Sequence, residues 1–195
     1  MKRAIALLEK HNLLKIISDE LDINLEIPHI AYVEVKKADS KAILFTNVVD
    51  RKNGKKFKEP VLMNVFCNED AVKLFIGDGD KIGSEIESLL KLKPPVTFSE
   101  KLSTLGKLFS LKNTIPKKIK GKGVCQEVIK LGADAKLSDL PVIKTWEEDG
   151  GPFITMGQVY TQSLNGELKN LGMYRLQVFP DNTLGMHWQI HKDSN

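Results

Sequence analysis

The sequence predicts an α+β fold, and three observations carry that expectation. Apolar residues recur at helical spacing near the start. Short apolar or alternating runs follow within the first half. The C-terminal part holds β-like segments separated by hairpin signals rather than by helices.

Taken in order, residues 3–22 place Ile5, Leu8, Leu13, Ile16, Ile17 and Leu21 at helical spacing, so one amphipathic helix is expected, closed by Asp22, Asn24 and Pro28. "AYVEVKK", "AILFTNVV" and "VLMNVF" read as strands, with "DRKNGKK" as the hairpin loop between the last two. "NEDAVKLFIG" predicts a helix with Asn68 as N-cap and Gly77 at its end; "DKIGSEIESLLKL" predicts another before Pro94 and Pro95. Residues 1–114 thus form an N-terminal αβ domain without a catalytic motif. Pro116, Gly121 and Gly123 mark a boundary, and residues 115–195 form a second domain. There "DLPVIKTWEEDGGPFI" is an acidic, glycine-containing loop. Strands are expected near 153–162, 168–179 and 184–192, joined through "SLNGEL" and "PDNT" as an antiparallel meander. The last strand reaches Asn195 without a partner for its edge, which reads as a fold cut short.

Composition narrows the class. The 195 residues are 42% hydrophobic and 28% charged, ordinary for a globular protein. No segment is long and apolar enough for a membrane span. Two cysteines, Cys67 and Cys125, with no CxxC pair, fit a reducing cytoplasm and argue against a thiolate zinc site. The net charge of +4 is concentrated between Lys101 and Gln126, where seven lysines stand without an acid. That run suits a solvated linker. It would also suit a phosphate group, an anionic membrane surface or nucleic acid, although it lacks the interleaved aromatics and arginines of base contacts.

The chemistry-bearing residues lie in the meander. "NLGMYRLQVF" reads as a strand carrying Arg175 where an interior strand would carry an apolar residue. In "MHWQIHK", His187, Gln189 and His191 fall at period two on one face. Folding back about "PDNT" brings Asn170 toward His191. The face of Arg175 depends on the connection: a two- or four-residue turn pairs it with Trp188, an odd loop with His187. An amide oxygen and an imidazole would form part of a site for a divalent cation, with a carboxylate expected as well and none obvious nearby. On spacing alone, Asn170 reads equally as a turn residue, His191 as a surface histidine and Arg175 as a solvent-facing strand residue. In "EEDGGPFIT", Glu147, Glu148 and Asp149 form a negative patch beside two glycines that allow close backbone approach or positive φ; a solvated acidic turn is the ordinary explanation.

Together, "LPVIKTWEEDGGPFIT", "NLGMYR" and "MHWQIHK", in this order and spacing, resemble the UbiD-type decarboxylases, the family of polyprenyl-4-hydroxybenzoate carboxy-lyase. The likeness is strong from Leu140 onward and weak in the first hundred or so residues. It implies an N-terminal αβ domain, then the start of a flavin-reductase-like split β-barrel, with a C-terminal domain of the family beyond. The implied cofactor is prenylated FMN with Mn2+ or another divalent cation and K+. Asn170 and His191 would be metal ligands and Arg175 the catalytic arginine, while Thr155 and the backbone of Leu171, Gly172, Met173, Tyr174 and Arg175 would line the cofactor.

The implied reaction is non-oxidative decarboxylation of an aromatic carboxylic acid in quinone biosynthesis, with the prenylated flavin as electron sink and a glutamic acid as proton donor. The family's catalytic glutamates and third metal ligand match no residue of this chain. A cytoplasmic enzyme is expected, with peripheral membrane contact as an option. A flavin prenyltransferase would supply the cofactor, the protein would be a homo-oligomer, and no nucleic acid would be bound. Two other readings stay open: a split-barrel module that holds FMN or another phosphate ligand without decarboxylating anything, and a basic nucleic-acid-binding domain resting on Lys101–Lys122.

Overall fold

The computed structural model describes residues 1–91, 118 and 120–191. The expected breaks at Pro94, Pro95 and Pro116, and most of the lysine run, lie outside the described residues. The chain divides into two compact units, one made of Met1–Phe75 with Ala135–Asn195 and the other of Ile76–Asp134.

The first unit opens with helix α1 (Lys2–Lys10), followed by the short strands β1 (Leu14–Ile17) and β2 (Leu21–Asp22). The single helix expected over residues 3–22 is therefore corrected. Asn12 takes a positive φ of 56°, and the Leu13 N–H bonds back to the Leu8 carbonyl at 2.8 Å, which ends the helix at its first turn past Lys10. Beyond it, β-branched Ile16 and Ile17 find a strand to pair with, and pairing outweighs helical periodicity.

Helix α2 (Glu26–Val35) corrects two further expectations, since it contains both Pro28 and most of "AYVEVKK". Pro28 sits in the first turn, where its missing N–H has no intrahelical acceptor to lose. The buried set Ile27, Pro28, Ala31 and Glu34 follows helical spacing, not alternation.

Strands β3 (Ala42–Phe45), β4 (Val48–Asp50), β5 (Lys55–Lys56) and β6 (Val61–Met63) complete two three-stranded sheets, ordered β1-β3-β6 and β2-β4-β5. β1 runs parallel to β3 and β2 parallel to β4; β6 and β5 close each sheet antiparallel. The "DRKNGKK" turn forms, with Gly54 at φ +62°, but it joins β4 to β5, whereas the "VLM" strand pairs with β3. Helix α3 (Glu69–Ile76) starts as expected, with Asn68 Oδ1 accepting the Ala71 N–H at 2.9 Å, and Gly77 follows it at φ +96°.

Ile23, Ile27, Ile43, Phe45, Val48, Phe57 and Ile143 form the core. Complete burial of a side chain such as Phe45 or Ile43 stabilises by roughly 1.5–3 kcal/mol. Ile143 reaches this core from the later sequence. Its neighbour Lys144 pairs with Asn24, and Phe153 donates its N–H to the Ile143 carbonyl at 3.0 Å. The segment expected to be a loop thus ties the meander to the β2 sheet.

The meander is β7 (Phe153–Gln162), β8 (Lys169–Val178) and β9 (Leu184–Met186), in that order and antiparallel. β9 is shorter than the run expected over 184–192. Its ladder covers Met186 to Leu184, and His187–Gln189 continue without strand pairing into a turn at Ile190–His191.

In the second unit, α4 (Gly79–Leu90) is capped by Asp78, whose carboxylate accepts the Asp80 and Lys81 N–H groups, and a short 3-10 turn spans Val124–Gln126. Among the described residues no helix is long and apolar enough to cross a membrane.

Candidate functional site

β8 is the middle strand of the meander and carries most of the residues singled out from the sequence. Facing β7, it pairs Asn170 with Thr161, Leu171 with Tyr160, Gly172 with Val159 and Met173 with Gln158. The ladder then slips by one residue between Ile154 and Gly157, so Thr155 and Met156 together oppose Arg175. A bulge of this kind bends the strand and re-aims the side chain across from it. Gly157 fits beside the slip because a Cβ there would stand 3.1 Å from the Tyr174 carbonyl and from the Leu176 side chain.

On its other side β8 pairs with β9 only from Leu176 to Val178, with one further bond from the His187 N–H to the Arg175 carbonyl at 3.1 Å. The connection 179–183 is odd in length, and Arg175 accordingly stands across from His187, one of the two alternatives left open by the sequence. Among the described residues no strand pairs with that edge over Leu171–Tyr174. Alternation places Asn170, Gly172 and Tyr174 on one face and Leu171, Met173 and Arg175 on the other. Leu171 and Met173 are exposed, whereas Tyr174 is buried with its ring 6.5 Å from that of Trp188. Thr155 is exposed in the bulge.

Arg175 is held on two sides. Its Nη2 lies 3.3 Å from Asp149 Oδ1, and its guanidinium carbon stands 4.0 Å from the centre of the Phe153 ring. Phe153 is buried, and its ring is 6.0 Å from that of His187. Asp149 also accepts the Trp146 N–H through Oδ2 at 3.2 Å, and the Trp146 ring meets Tyr32 of α2 edge-on at 5.5 Å. The acidic stretch is therefore more than a solvated turn, since Asp149 is turned inward onto β8. The two glycines after it allow that approach: a Cβ on Gly150 would come within 3.1 Å of the Gln177 side chain. The signal available in the sequence was an acid before a glycine pair and an arginine inside a strand, each wanting a partner.

Asn170 lies in its expected strand, whereas His191 falls outside the strand expected over 184–192. Asn170 sits within the β7–β8 ladder, and His191 is an exposed residue in the turn past β9 rather than a member of that strand. Among the described residues no three His, Cys, Asp or Glu side chains converge as a metal-binding group. The donor types of Asn170 and His191, an amide oxygen and an imidazole, suit part of the shell of a borderline divalent cation.

Comparison with solved structures identifies the fold. The chain has the fold seen in a stretch of aromatic-acid decarboxylases. It superposes on the closed form of vanillic acid decarboxylase from Sedimentibacter hydroxybenzoicus with a TM-score of 0.67 at 20% identity, covering 95% of this chain and 36% of that one. It also matches 3,4-dihydroxybenzoic acid decarboxylase from Klebsiella pneumoniae (TM-score 0.65, 20% identity, 98% and 37% coverage). The UbiD-class enzyme HmfF from Pelotomaculum thermopropionicum, solved in complex with FMN, matches at TM-score 0.61 and 20% identity over 97% of this chain and 37% of that one.

Family models then give the particular group. Residues 5–90 match the 3-octaprenyl-4-hydroxybenzoate carboxy-lyase N-terminal domain and residues 117–195 the Rift-related domain of the same carboxy-lyase. The chain belongs to the UbiD family. A Helicobacter pylori protein is 46% identical over 100% of this chain and 32% of its own length, and an Aquifex aeolicus protein 39% identical over 96% and 38%. The chain thus spans about a third of the length of the curated relatives it matches.

Proposed function

We propose that this chain contributes the first part of the cofactor site of a non-oxidative decarboxylase of hydroxyarene carboxylic acids that uses prenylated FMN. The observation that carries the reading is the edge of β8 over Leu171–Tyr174, to which β9 does not extend, ending at an arginine whose guanidinium is held by Asp149 and Phe153. Backbone groups along such an edge can bond a ligand, and the exposed side chains of Leu171 and Met173 lie beside it. Arg175 stands five positions after Asn170, about 16 Å of extended strand, so a ligand meeting both is a long one with distinct ends.

In this reading Asn170 and His191 hold a divalent cation, manganese by preference, at the phosphate end. Thr155 and the Leu171–Tyr174 backbone line the ring system, and Arg175 orients the substrate carboxylate. The prenylated flavin, when bound, supplies the electron sink that carboxylate loss requires. Exposed Met173 and Leu171 offer an apolar wall to a planar ring, and Arg175 supplies fixed donors and charge beside it. Residues 153–192 are read as the first strands of a split β-barrel, with the domain division at 114/115, and K+ as an accompanying ion. The octaprenyl-hydroxybenzoate in the family's description and the aromatic acids in the names of the solved decarboxylases support the substrate class. Quinone biosynthesis in the cytoplasm is the proposed setting, with a homo-oligomer as the assembled form and a flavin prenyltransferase as the source of cofactor.

The test is the absorbance spectrum of the full-length protein carrying this segment, purified from cells that also make the prenyltransferase. Bound flavin is expected in the wild type and is expected to be largely lost in His191→Ala and Asn170→Ala, because these two residues would hold the cation that helps to retain the cofactor. A wild-type protein that purifies without flavin and takes up none contradicts the proposal.

A further inference from the structure

The guanidinium of Arg175 is engaged incompletely. Asp149 takes one terminal nitrogen, Nη2, in a single contact of 3.3 Å, and Phe153 covers one face; among the described residues Nε and Nη1 have no partner. Arginine offers five donors in a rigid fork, so fixing one corner and one face leaves a donor edge in a set direction. A positioning group must itself be fixed, and Asp149 is: its side chain is 16% exposed against 41% for Arg175, and its second oxygen accepts the Trp146 N–H. Trp146 is in turn packed on Tyr32. A run of contacts therefore leads from α2 through Trp146 and Asp149 to the arginine.

We propose that Asp149 is a positioning residue for Arg175, holding the guanidinium so that its remaining donors meet a carboxylate, while Asp149 itself touches neither substrate nor cofactor. The inference rests on the reading of Arg175 as the group that meets the substrate carboxylate. Charge-assisted bonds from a planar fork depend steeply on angle, so an arginine released to its rotamers loses most of that advantage.

The experiment is a double-mutant cycle in the flavin-loaded holoenzyme, with 3,4-dihydroxybenzoate as the probe acid and flavin content measured for every variant. Asp149→Asn, which keeps the size of the side chain and removes its charge, is expected to lower kcat/KM about tenfold with flavin content unchanged. In an Arg175→Ala background the same change is expected to cost nothing further, because the group it positions is gone. Asp149→Glu, which keeps the charge, is expected to recover part of the loss.

Equal loss from Asp149→Asn in both backgrounds would make Asp149 a structural loop residue and overturn the proposal, as would no loss at all while Arg175→Ala is impaired. Wild-type turnover by Arg175→Ala would instead defeat the underlying reading of the arginine. If Asp149→Asn loses flavin through misfolding, Asp149→Glu decides: its loss must vanish in the Arg175→Ala background, and persistence there overturns the proposal.

Discussion

The His187 N–H donates to the Arg175 carbonyl at 3.1 Å, and that bond fixes which residue just past β9 stands across from the arginine. The connection that sets this register is held by Asn182, which takes φ 66°, donates to the Ala135 carbonyl at 2.8 Å and accepts the Leu137 N–H at 2.6 Å. Asparagine tolerates this left-handed conformation better than most residues. Asn182→Ala loses both tethers and the conformational tolerance, with an expected cost of about 1–2 kcal/mol. Asn182→Gly loses only the tethers and should cost less. Chemical denaturation midpoints of the two variants, compared with wild type, check the order.

Gly172 packs under the ring of Tyr174. A Cβ there would stand 3.1 Å from Cζ and 3.2 Å from Oη, and closer still to Cε2. Gly172→Ala should therefore destabilise by about 1–3 kcal/mol through overpacking. In a Tyr174→Ala background the same change should cost almost nothing, and thermal unfolding of the four proteins of that cycle measures the difference.

Glu34 gives the N-terminal unit an acid-sensitive contact. Its side chain is 8% exposed and bonds Lys37 at 2.7 Å, with Lys15 at 3.6 Å. The Lys37 hydrogen bond, ahead of the opposing effect of burial, holds its carboxyl below the ordinary value of 4.5. A carboxyl whose folded-state pKa is depressed contributes stability that is complete above its unfolded value and is lost as pH falls through the folded one. Stability should thus decline below about pH 4.5 in part through Glu34, and Glu34→Gln should flatten that decline. Urea unfolding from pH 6 down to pH 3 shows whether the two curves converge.

On the proposed reading the proton donor comes from outside these 195 residues, so the 195-residue polypeptide by itself is expected to turn over no aromatic acid even with prenylated FMN and manganese. It is also expected to self-associate, because Met156, Tyr160, Leu171 and Met173 are exposed on one face of β7 and β8. Carbon dioxide release above background, or a clean monomer in sedimentation at high concentration, would count against these two outcomes respectively.

Much of the meander was legible in the sequence, because its signals are local. Gly166 at φ +76° turns β7 into β8, and apolar runs of strand length flank it. The α1–β2 region was not, because "LKII" becomes a strand only through pairing with Ala42–Phe45, a partner far along the chain. Pro28 misled for a related reason: its position in the first turn of a helix cannot be told from a helix end without knowing which N–H groups are bonded. At the site, Arg175 stood out as a charge inside a strand. Asp149 stood out only as part of an acidic patch, since its inward turn depends on Gly150 and Gly151 passing close to Gln177, a contact made only in the folded chain. The slip opposite Arg175 likewise leaves no residue pattern of its own beyond Gly157.

The most direct test of the account is the turnover of Arg175→Ala in the flavin-loaded full-length enzyme, measured beside its flavin and metal content. The account predicts that flavin and metal are retained while kcat/KM falls by at least about 10²-fold, the scale for removing one preorganised electrostatic group. Decarboxylation by Arg175→Ala at the wild-type rate would contradict it and leave Arg175 as a polar strand residue paired with Asp149.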